Sequence, residues 1–395
     1  MNVSSARDNA LLEIIDLRVQ FRTWRGTVQA LERVSLRVAR NEIVGLIGES
    51  GSGKSVTGLS ILNLLPAPPG IVGGEIWFEG RNLLSLPQQE LERIQGKKIA
   101  VISQDPLSSL NPVFTVGEQL IDAILWADLV ESDPAYASIL KLVDRWSRAG
   151  RTRVKRAQER ACELLAQVGL PSPKRQLRAY PHELSGGMRQ RVSIAIALSS
   201  KPTLVIADEP TTALDVTVQA QILNLLKELA VSHGLSMLYI SHDLSVVAQL
   251  CDRVAVMYAG QIVEHGSAEQ LFQNPQHPYT RALLQAVIEH RAGEFLEIPG
   301  EVPDMVAPPL GCHFHPRCPL AQALCQQFEP ELEEIEAAHW VACPPALERA
   351  KPGHHGWATV LRADVDQSGP PDGDRSSYQA KQSPAWVASS SEASD

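Results

Sequence analysis

Gly48-Glu49-Ser50-Gly51-Ser52-Gly53-Lys54-Ser55 matches the phosphate-binding pattern G-x-x-x-x-G-K-[ST]. The apolar run Glu42-Ile43-Val44-Gly45-Leu46-Ile47 before it reads as a buried strand. The stretch from Val56 to Leu65 after it reads as a helix that Pro66 ends. Strand, glycine loop and helix are the context such a motif requires. Gly48, Gly51 and Gly53 let the backbone turn its N–H groups inward around a triphosphate, where side chains would obstruct it. The helix start adds partial positive charge, Lys54 reaches the outer phosphates, and the Ser55 hydroxyl can ligate Mg²⁺. Glu49, Ser50, Ser52 and Val56 complete this candidate nucleotide site, Gly48 to Val56. The bland alternative is a chance glycine-rich turn.

The remainder of the chain sets bounds on what surrounds the loop. A length of 395 residues accommodates two domains and a tail. The formal charge of −9 argues against a nucleic-acid binder, which usually presents a basic face. Met1 to Ala10 lacks the apolar core of a signal peptide, and no apolar run reaches membrane-spanning length, so a cytoplasmic protein with reduced or metal-bound cysteines is expected.

Upstream of the loop, Leu12–Phe21 and Val28–Val38 alternate like strands and predict a small antiparallel sheet beside the nucleotide. Phe21 could stack on a purine ring, with Trp24 as the alternative; each could equally be an ordinary core or surface aromatic. Between Gly70 and Gly80 a hairpin is expected, with Gly73-Gly74 and Glu79-Gly80 as turns. Lys98 to Ser103 reads as a buried strand ending at Gln104, and helical patterning runs from Val116 to Trp126. Residues 127–160 are highly charged, with Arg148, Arg151, Arg153, Lys155 and Arg156 crowded together. Sparse aromatic interleaving favours a solvated helical excursion there over a nucleic-acid patch.

A second chemical centre is Leu204-Val205-Ile206-Ala207-Asp208-Glu209. Four apolar residues make a central parallel strand whose carboxyl end presents two adjacent acids. Side chains alternate along a strand, so the two acids take different roles. Asp208 can hold the metal through water, and Glu209 can point at the water in line with the γ-phosphate. Between the two centres, Leu184-Ser185-Gly186-Gly187-Met188-Arg189-Gln190-Arg191 offers Ser185 as an N-cap and a glycine pair that leaves N–H donors uncovered, a second anion site.

With Gln104, Asp215 and His242 added, this set of motifs resembles the ATP-binding-cassette (ABC) ATPases over roughly residues 10 to 290. The resemblance implies an α/β fold: a phosphate-loop ATPase domain at 1–290 with a RecA-like parallel sheet core, an antiparallel β subdomain, and a helical signature subdomain at about 106–190. It implies that Ser185-Gly186-Gly187 is the signature. Gln104 falls at the loop that touches Mg²⁺ and the partner, His242 at the switch on the γ-phosphate, and Phe21 at the adenine-stacking position. Ser109 to Gln119, Tyr180-Pro181-His182-Glu183, Val256 to Gly260 and Pro275 to Arg281 resemble, more narrowly, the ATPase subunits of dipeptide, oligopeptide and nickel permeases. The segment around 127–155 looks longer than that family's usual stretch.

That group carries a C-terminal extension similar to Ile298 through Cys343, here taken as 291–345, with a tail rich in Ser, Pro, Gly, Asp and Gln at 346–395 that reads as disordered. The extension holds Cys312, Cys318, Cys325 and Cys343, spaced C-x5-C-x6-C-x17-C, while Cys162 and Cys251 sit in helical or core patterns. No C-x2-C pair is present, so a zinc ribbon fits poorly. The resemblance points to a 4Fe–4S cluster; bare thiols, disulfides, or zinc shared with His313, His315 and His339 are the alternatives.

One phosphate loop and one signature per chain imply two ATPs sandwiched between two such domains. The partner is expected to be a paralogous ATPase, or a second copy. Closing such a dimer takes about 5.5 kcal/mol of differential binding, which signature contacts to the partner's γ-phosphate could supply. The family reading adds two integral membrane permease subunits, a solute-binding protein acting indirectly, no nucleic acid, and a peripheral position on the cytoplasmic face of the membrane. The expected role is the ATP-hydrolysing subunit of a di- or oligopeptide importer, with nickel or another solute as the alternative. A soluble cassette ATPase of DNA repair or translation, and a phosphate-loop kinase, are rivals that the extension and the signature disfavour.

Overall fold

The computed structural model describes residues 10–65, 69–132, 148–212, 214–292 and 298–350. The chain opens with the long hairpin β1 (Ala10–Thr23) and β2 (Gly26–Ala39), then enters β3 (Ile43–Ile47), the strand ahead of the phosphate loop. β4 (Pro69–Phe78) and the two-residue β5 (Arg81–Asn82) return to the hairpin and give a four-stranded antiparallel sheet of order β2-β1-β4-β5. β6 (Ile99–Ile102), β7 (Leu204–Asp208), β8 (Ser236–Ser241), β9 (Arg253–Tyr258) and β10 (Gln261–Ser267) build the main sheet around β3. Two short strands from the C-terminal region, β11 (Glu333–Glu336) and β12 (His339–Val341), extend it to eight, in the order β11-β12-β10-β9-β3-β8-β7-β6. From β9 to β6 the pairing is parallel; β10, β12 and β11 add antiparallel strands at one side.

The pleat of the buried strands sorts their side chains between two cores. Val44, Leu46, Leu204 and Ile206 pack with Ile14, Val19 and Phe78 under the antiparallel sheet. Ile43, Ile47, Val205 and Ala207 face the helices on the other side. Two-sided burial explains why these strands read as continuous apolar runs rather than alternating ones. The helical side includes Val116–Ser132, Arg148–Gln167 and Gly186–Leu198, whose apolar positions Leu120, Ile124, Ala161, Leu165, Val192 and Ala195 are buried together. Residues 133–147, most of the long segment singled out in the sequence, lie outside the described residues, as does the tail from 351 onward. No helix among the described residues is long and apolar enough to cross a membrane.

Two local expectations need correction. Gly73-Gly74 is no turn: β4 runs straight through it, and only Glu79-Gly80 reverses the chain. Gly74 has φ +95°, and a Cβ there would stand 2.6 Å from the backbone of Asp16 and Leu17. The glycines serve close approach at a bulge, where the β1 register slips between Ile15 and Arg18. The helix after the phosphate loop also stops sooner, spanning Lys54–Ile61. Asn63 adopts a left-handed φ of +50° and Leu64 N–H donates back to Leu59 O at 3.0 Å, ending the helix before Pro66 is reached.

Candidate functional site

The phosphate loop is shaped by contacts that only glycine tolerates. Gly48 has φ +155°, and a Cβ on it would lie 2.1 Å from Met257 O in β9. Gly53, at φ +107°, is the N-cap of the helix Lys54–Ile61, and a Cβ there would meet Leu31 and Ala30 O within 3 Å. Both residues are pressed against other backbone, so side chains are excluded by sterics as well as by dihedral angle.

Lys54 is buried, and its Nζ donates to Gly48 O and Glu49 O, each at 2.9 Å. Burial pushes the pKa of the ammonium down, opposed by the carboxylates of Glu209, Asp208 and Glu49. The cation is thus held by the carbonyls of its own loop. One helix residue on, Ser55 Oγ donates to Asp208 Oδ1 at 3.0 Å. The hydroxyl of the loop and the first acid after β7 therefore meet as two hard oxygen donors, a pair suited to Mg²⁺. Burial pushes the Asp208 carboxyl up, against the Ser55 hydrogen bond.

Glu209 departs from the strand. Its φ is +46°, a left-handed value rare outside glycine, while its N–H still donates to Ile240 O of β8 at 2.9 Å. Its carboxylate lies among three partners. His242 Nδ1 lies 3.1 Å from Oε1, Thr212 Oγ1 donates to Oε2 at 2.9 Å, and Gln104 Nε2 donates to Oε2 at 3.2 Å. Burial acts to raise its pKa, but the hydrogen bonds from His242 and Thr212 prevail and hold the carboxyl below the usual range. Glu209 is therefore an ionised acceptor. Thr212 escaped the sequence reading; its place three residues after Glu209 in a tight turn was the only signal.

The structure gathers Gly48 to Ser55, Gln104, Asp208, Glu209 and His242 at one end of the main sheet. The signature is placed differently. Ser185 caps the helix Gly186–Leu198, its Oγ accepting from Met188 N–H at 3.3 Å. Asp215 caps the helix Val216–His233 through Val218 N–H at 3.0 Å. Among the described residues, no hydrogen bond or ion pair joins Ser185, Gly186, Gly187 or Asp215 to the Lys54–Glu209 group. Phe21 is half-buried in β1, opposite Val28 and packed against the antiparallel-sheet core, whereas Trp24 is 94% exposed in the hairpin turn.

The C-terminal region contacts the phosphate loop directly, which nothing in the sequence announced. Arg317 forks onto Glu49, with Nη1 to Oε2 at 2.7 Å and Nη2 to Oε1 at 3.1 Å. Tyr279 OH accepts from Glu49 N–H at 2.9 Å. Phe314 packs edge-on to Tyr258 and against Tyr279 and His277.

The four extension cysteines converge. Cys312 N–H donates to Cys325 O at 2.9 Å, and the Cys343 thiol, pushed up to about 12 by burial, also senses Cys312, Cys318 and Cys325. Yet no group of three His, Cys, Asp or Glu side chains able to hold a metal occurs among the described residues, so as they stand they do not fit a bound cluster. The histidines are engaged elsewhere: His313 Nδ1 donates to Ala259 O, His315 Nδ1 to Cys312 O, and His339 Nε2 to Glu264 Oε1, at 2.9, 2.9 and 2.8 Å. Cys251 is buried, with its thiol pushed up by burial, and Cys162 is half-buried in its helix.

Residues 31–212 match the family "ABC transporter", and residues 263–325 match "Oligopeptide/dipeptide transporter, C-terminal region". A probable peptide ABC transporter ATP-binding protein of Sinorhizobium fredii is 46% identical over 344 residues, covering 86% of this chain and 96% of the relative. The oligopeptide transport ATP-binding protein OppD of Bacillus subtilis is 44% identical, covering 85% and 88%. The dipeptide transport ATP-binding protein DppD of Haemophilus influenzae is 41% identical, covering 87% and 98%. A bacterial ABC transporter cassette solved as a dimer, MJ0796, superposes with a TM-score of 0.53 at 27% identity, covering 65% of this chain and 98% of that one. Motifs, geometry and relatives agree: the chain belongs to the ABC transporter ATPases, in the group that carries the oligopeptide/dipeptide transporter C-terminal region.

Proposed function

We propose that this chain is the ATP-hydrolysing subunit of an importer for di- and oligopeptides, peripheral to the cytoplasmic face of the membrane. It would pair with a paralogous ATPase, or a second copy, beneath two integral membrane permease subunits that a solute-binding protein serves from the other side. The observation that carries the reading is the peptide-transport C-terminal match at 263–325 on a chain that covers 96% of a peptide-transporter relative.

The family resemblance, with the geometry in support, suggests the following residue roles. Lys54 would leave the carbonyls of Gly48 and Glu49 for the phosphates of ATP, exchanging neutral partners for charged ones. Ser55 and Asp208 would hold Mg²⁺ with Gln104, and the ion supplies charge neutralisation on the phosphates when bound. Glu209, ionised and fixed by Thr212 and His242, would orient the attacking water. His242, 54% exposed on its side chain, would exchange its contact with Glu209 for the γ-phosphate. Phe21 would stack on the adenine. Ser185, Gly186 and Gly187 would complete a partner's ATP site, since they stay apart from their own, and Asp215 would support that face as a helix cap. Cys312, Cys318, Cys325 and Cys343 would have to rearrange to hold a 4Fe–4S cluster or zinc, since they form no ligand group as they stand; no step of the ATP cycle runs through such a group.

Reconstitution with its permease subunits, in liposomes, tests the function. ATP hydrolysis stimulated by a peptide-loaded binding protein is expected. Stimulation by a nickel-loaded one instead, or full activity without permease subunits, overturns the peptide reading. Anaerobically purified protein that is brown and absorbs near 400 nm would favour the cluster, and colourless metal-free protein would remove it.

A further inference from the structure

Glu49 is an acid inside a loop built to receive a polyanion, and among the described residues its carboxylate is ion-paired with Arg317, 268 residues away. We infer that Arg317 is a positioning residue for ATP binding, the extension's contribution in cis to the phosphate loop. It neutralises Glu49 and fixes the peptide that shelters Lys54.

The hydrogen-bond inventory of Arg317 carries the inference. Its guanidinium has five N–H donors. Nε donates to Pro299 O at 3.1 Å, Nη1 to Glu49 Oε2 at 2.7 Å and Tyr258 OH at 3.4 Å, and Nη2 to Glu49 Oε1 and Ile298 O, each at 3.1 Å. Every donor is engaged and the side chain is 5% exposed, so Arg317 is no phosphate ligand in this arrangement. Room for its stem comes from Gly300, where a Cβ would approach Arg317 Cγ to 3.1 Å.

The other end of the fork is equally constrained. Glu49 N–H donates to Tyr279 OH, and Glu49 O accepts from both Lys54 Nζ and Ser52 N–H. Side chain, N–H and C=O of one loop residue are thus each held, two of them by residues beyond 278. Removing Arg317 would leave an unpaired carboxylate beside the site where phosphates arrive and next to the ammonium that must bind them. Repulsion of the anion and retention of Lys54 both act against ATP binding. Chemistry at bound nucleotide depends on Glu209 and its partners, which Arg317 does not touch. The effect should therefore fall on KM rather than kcat.

The inference rests on Gly48–Ser55 being the ATP phosphate site, and Lys54→Ala in the same experiment separates the two: undiminished ATP binding by that variant would refute the site itself. The measurement is ATP affinity of the full-length chain by calorimetry, and KM and kcat of the assembled transporter. Arg317→Ala should raise KM and Kd for ATP roughly 10- to 100-fold with kcat changed less than about threefold. Arg317→Lys, which keeps charge but not the fork, should give an intermediate rise. Adding Glu49→Gln to Arg317→Ala should restore most of the lost affinity, because the charge that needed pairing is gone. A merely structural arginine would show no such recovery. Wild-type affinity in Arg317→Ala, or in Arg317→Lys if the alanine variant does not fold, overturns the proposal. So does strict additivity with Glu49→Gln.

Discussion

The Oγ of Ser55 lies 3.0 Å from Oδ1 of Asp208, joining the first turn after the phosphate loop to the carboxyl end of β7. Two segments 153 residues apart thereby offer oxygen ligands at one point. Ser55→Ala should raise the Mg²⁺ concentration for half-maximal ATPase activity roughly tenfold, the scale of one polar interaction. A Mg²⁺ titration at saturating ATP checks it; an unchanged midpoint would detach Ser55 from the metal.

Glu209→Gln keeps the size of the side chain and its kinked backbone but removes the charge that His242 and Thr212 hold in place. ATP binding should persist while turnover falls about 10²-fold or more. Size-exclusion chromatography with ATP should show an accumulated dimer. Near-normal hydrolysis would shift the role toward His242.

Gly187 is the second residue of the signature helix, and a Cβ there would lie 2.5 Å from Val218 Cγ1 on the helix that Asp215 caps. Gly187→Ala should displace that face and lower turnover roughly tenfold or more. ATP affinity of the isolated chain should stay at the wild-type value, since this chain's own phosphate loop is untouched. Calorimetry beside steady-state assays separates the two, and a parallel loss of affinity would contradict a composite site.

His277 Nδ1 accepts the N–H of Tyr279 at 3.0 Å, and burial pushes this imidazole from 6.5 down to about 4. Below about pH 6.5 the unfolded chain takes up a proton that the native state refuses. Stability should therefore fall as pH drops from 6.5 toward 4, by at most about 3 kcal/mol from this residue. His265, also held near 4, first by burial and then by Arg253, acts in the same window. Thermal melts from pH 7.5 to 4.5 should show the decline, shallower in His277→Gln.

His339 and Glu264 form a pair with both side chains 0% exposed. Glu264 also accepts N–H bonds from Gln276 and His277, at 2.7 and 2.8 Å. Burial alone would raise the carboxyl, yet His339, Thr280 and these N–H groups hold it below the usual range. His339→Ala strands a buried charge and should cost about 3 kcal/mol or more; His339→Gln, which keeps a donor, should cost less. Urea denaturation reads the difference.

The phosphate-loop end of the sheet was legible because its residues are short-range patterns. A glycine loop must follow a strand, and two acids must end an apolar run, so Lys54, Ser55, Asp208 and Glu209 could be named from spacing alone. His242 and Gln104 needed the family resemblance, and the structure puts both on Glu209. What could not be read is whatever depends on sequence-distant backbone. Gly74 reads as a turn glycine until Asp16 is seen behind it. Arg317 sits in a cysteine-flanked segment that draws attention to its thiols rather than to its guanidinium. No periodicity links positions 49 and 317; only the folded path of the extension does.

That path also finishes the main sheet. Without β12, the outer side of β10 would present unpaired N–H and C=O groups along a mostly buried strand, a template for another chain. The region instead lays β12 and then β11 across it, and the outermost strand reads Glu333-Glu334-Ile335-Glu336. The acidic sequence of this last strand disfavours edge-to-edge pairing with a copy of itself, so the sheet ends in a guarded margin.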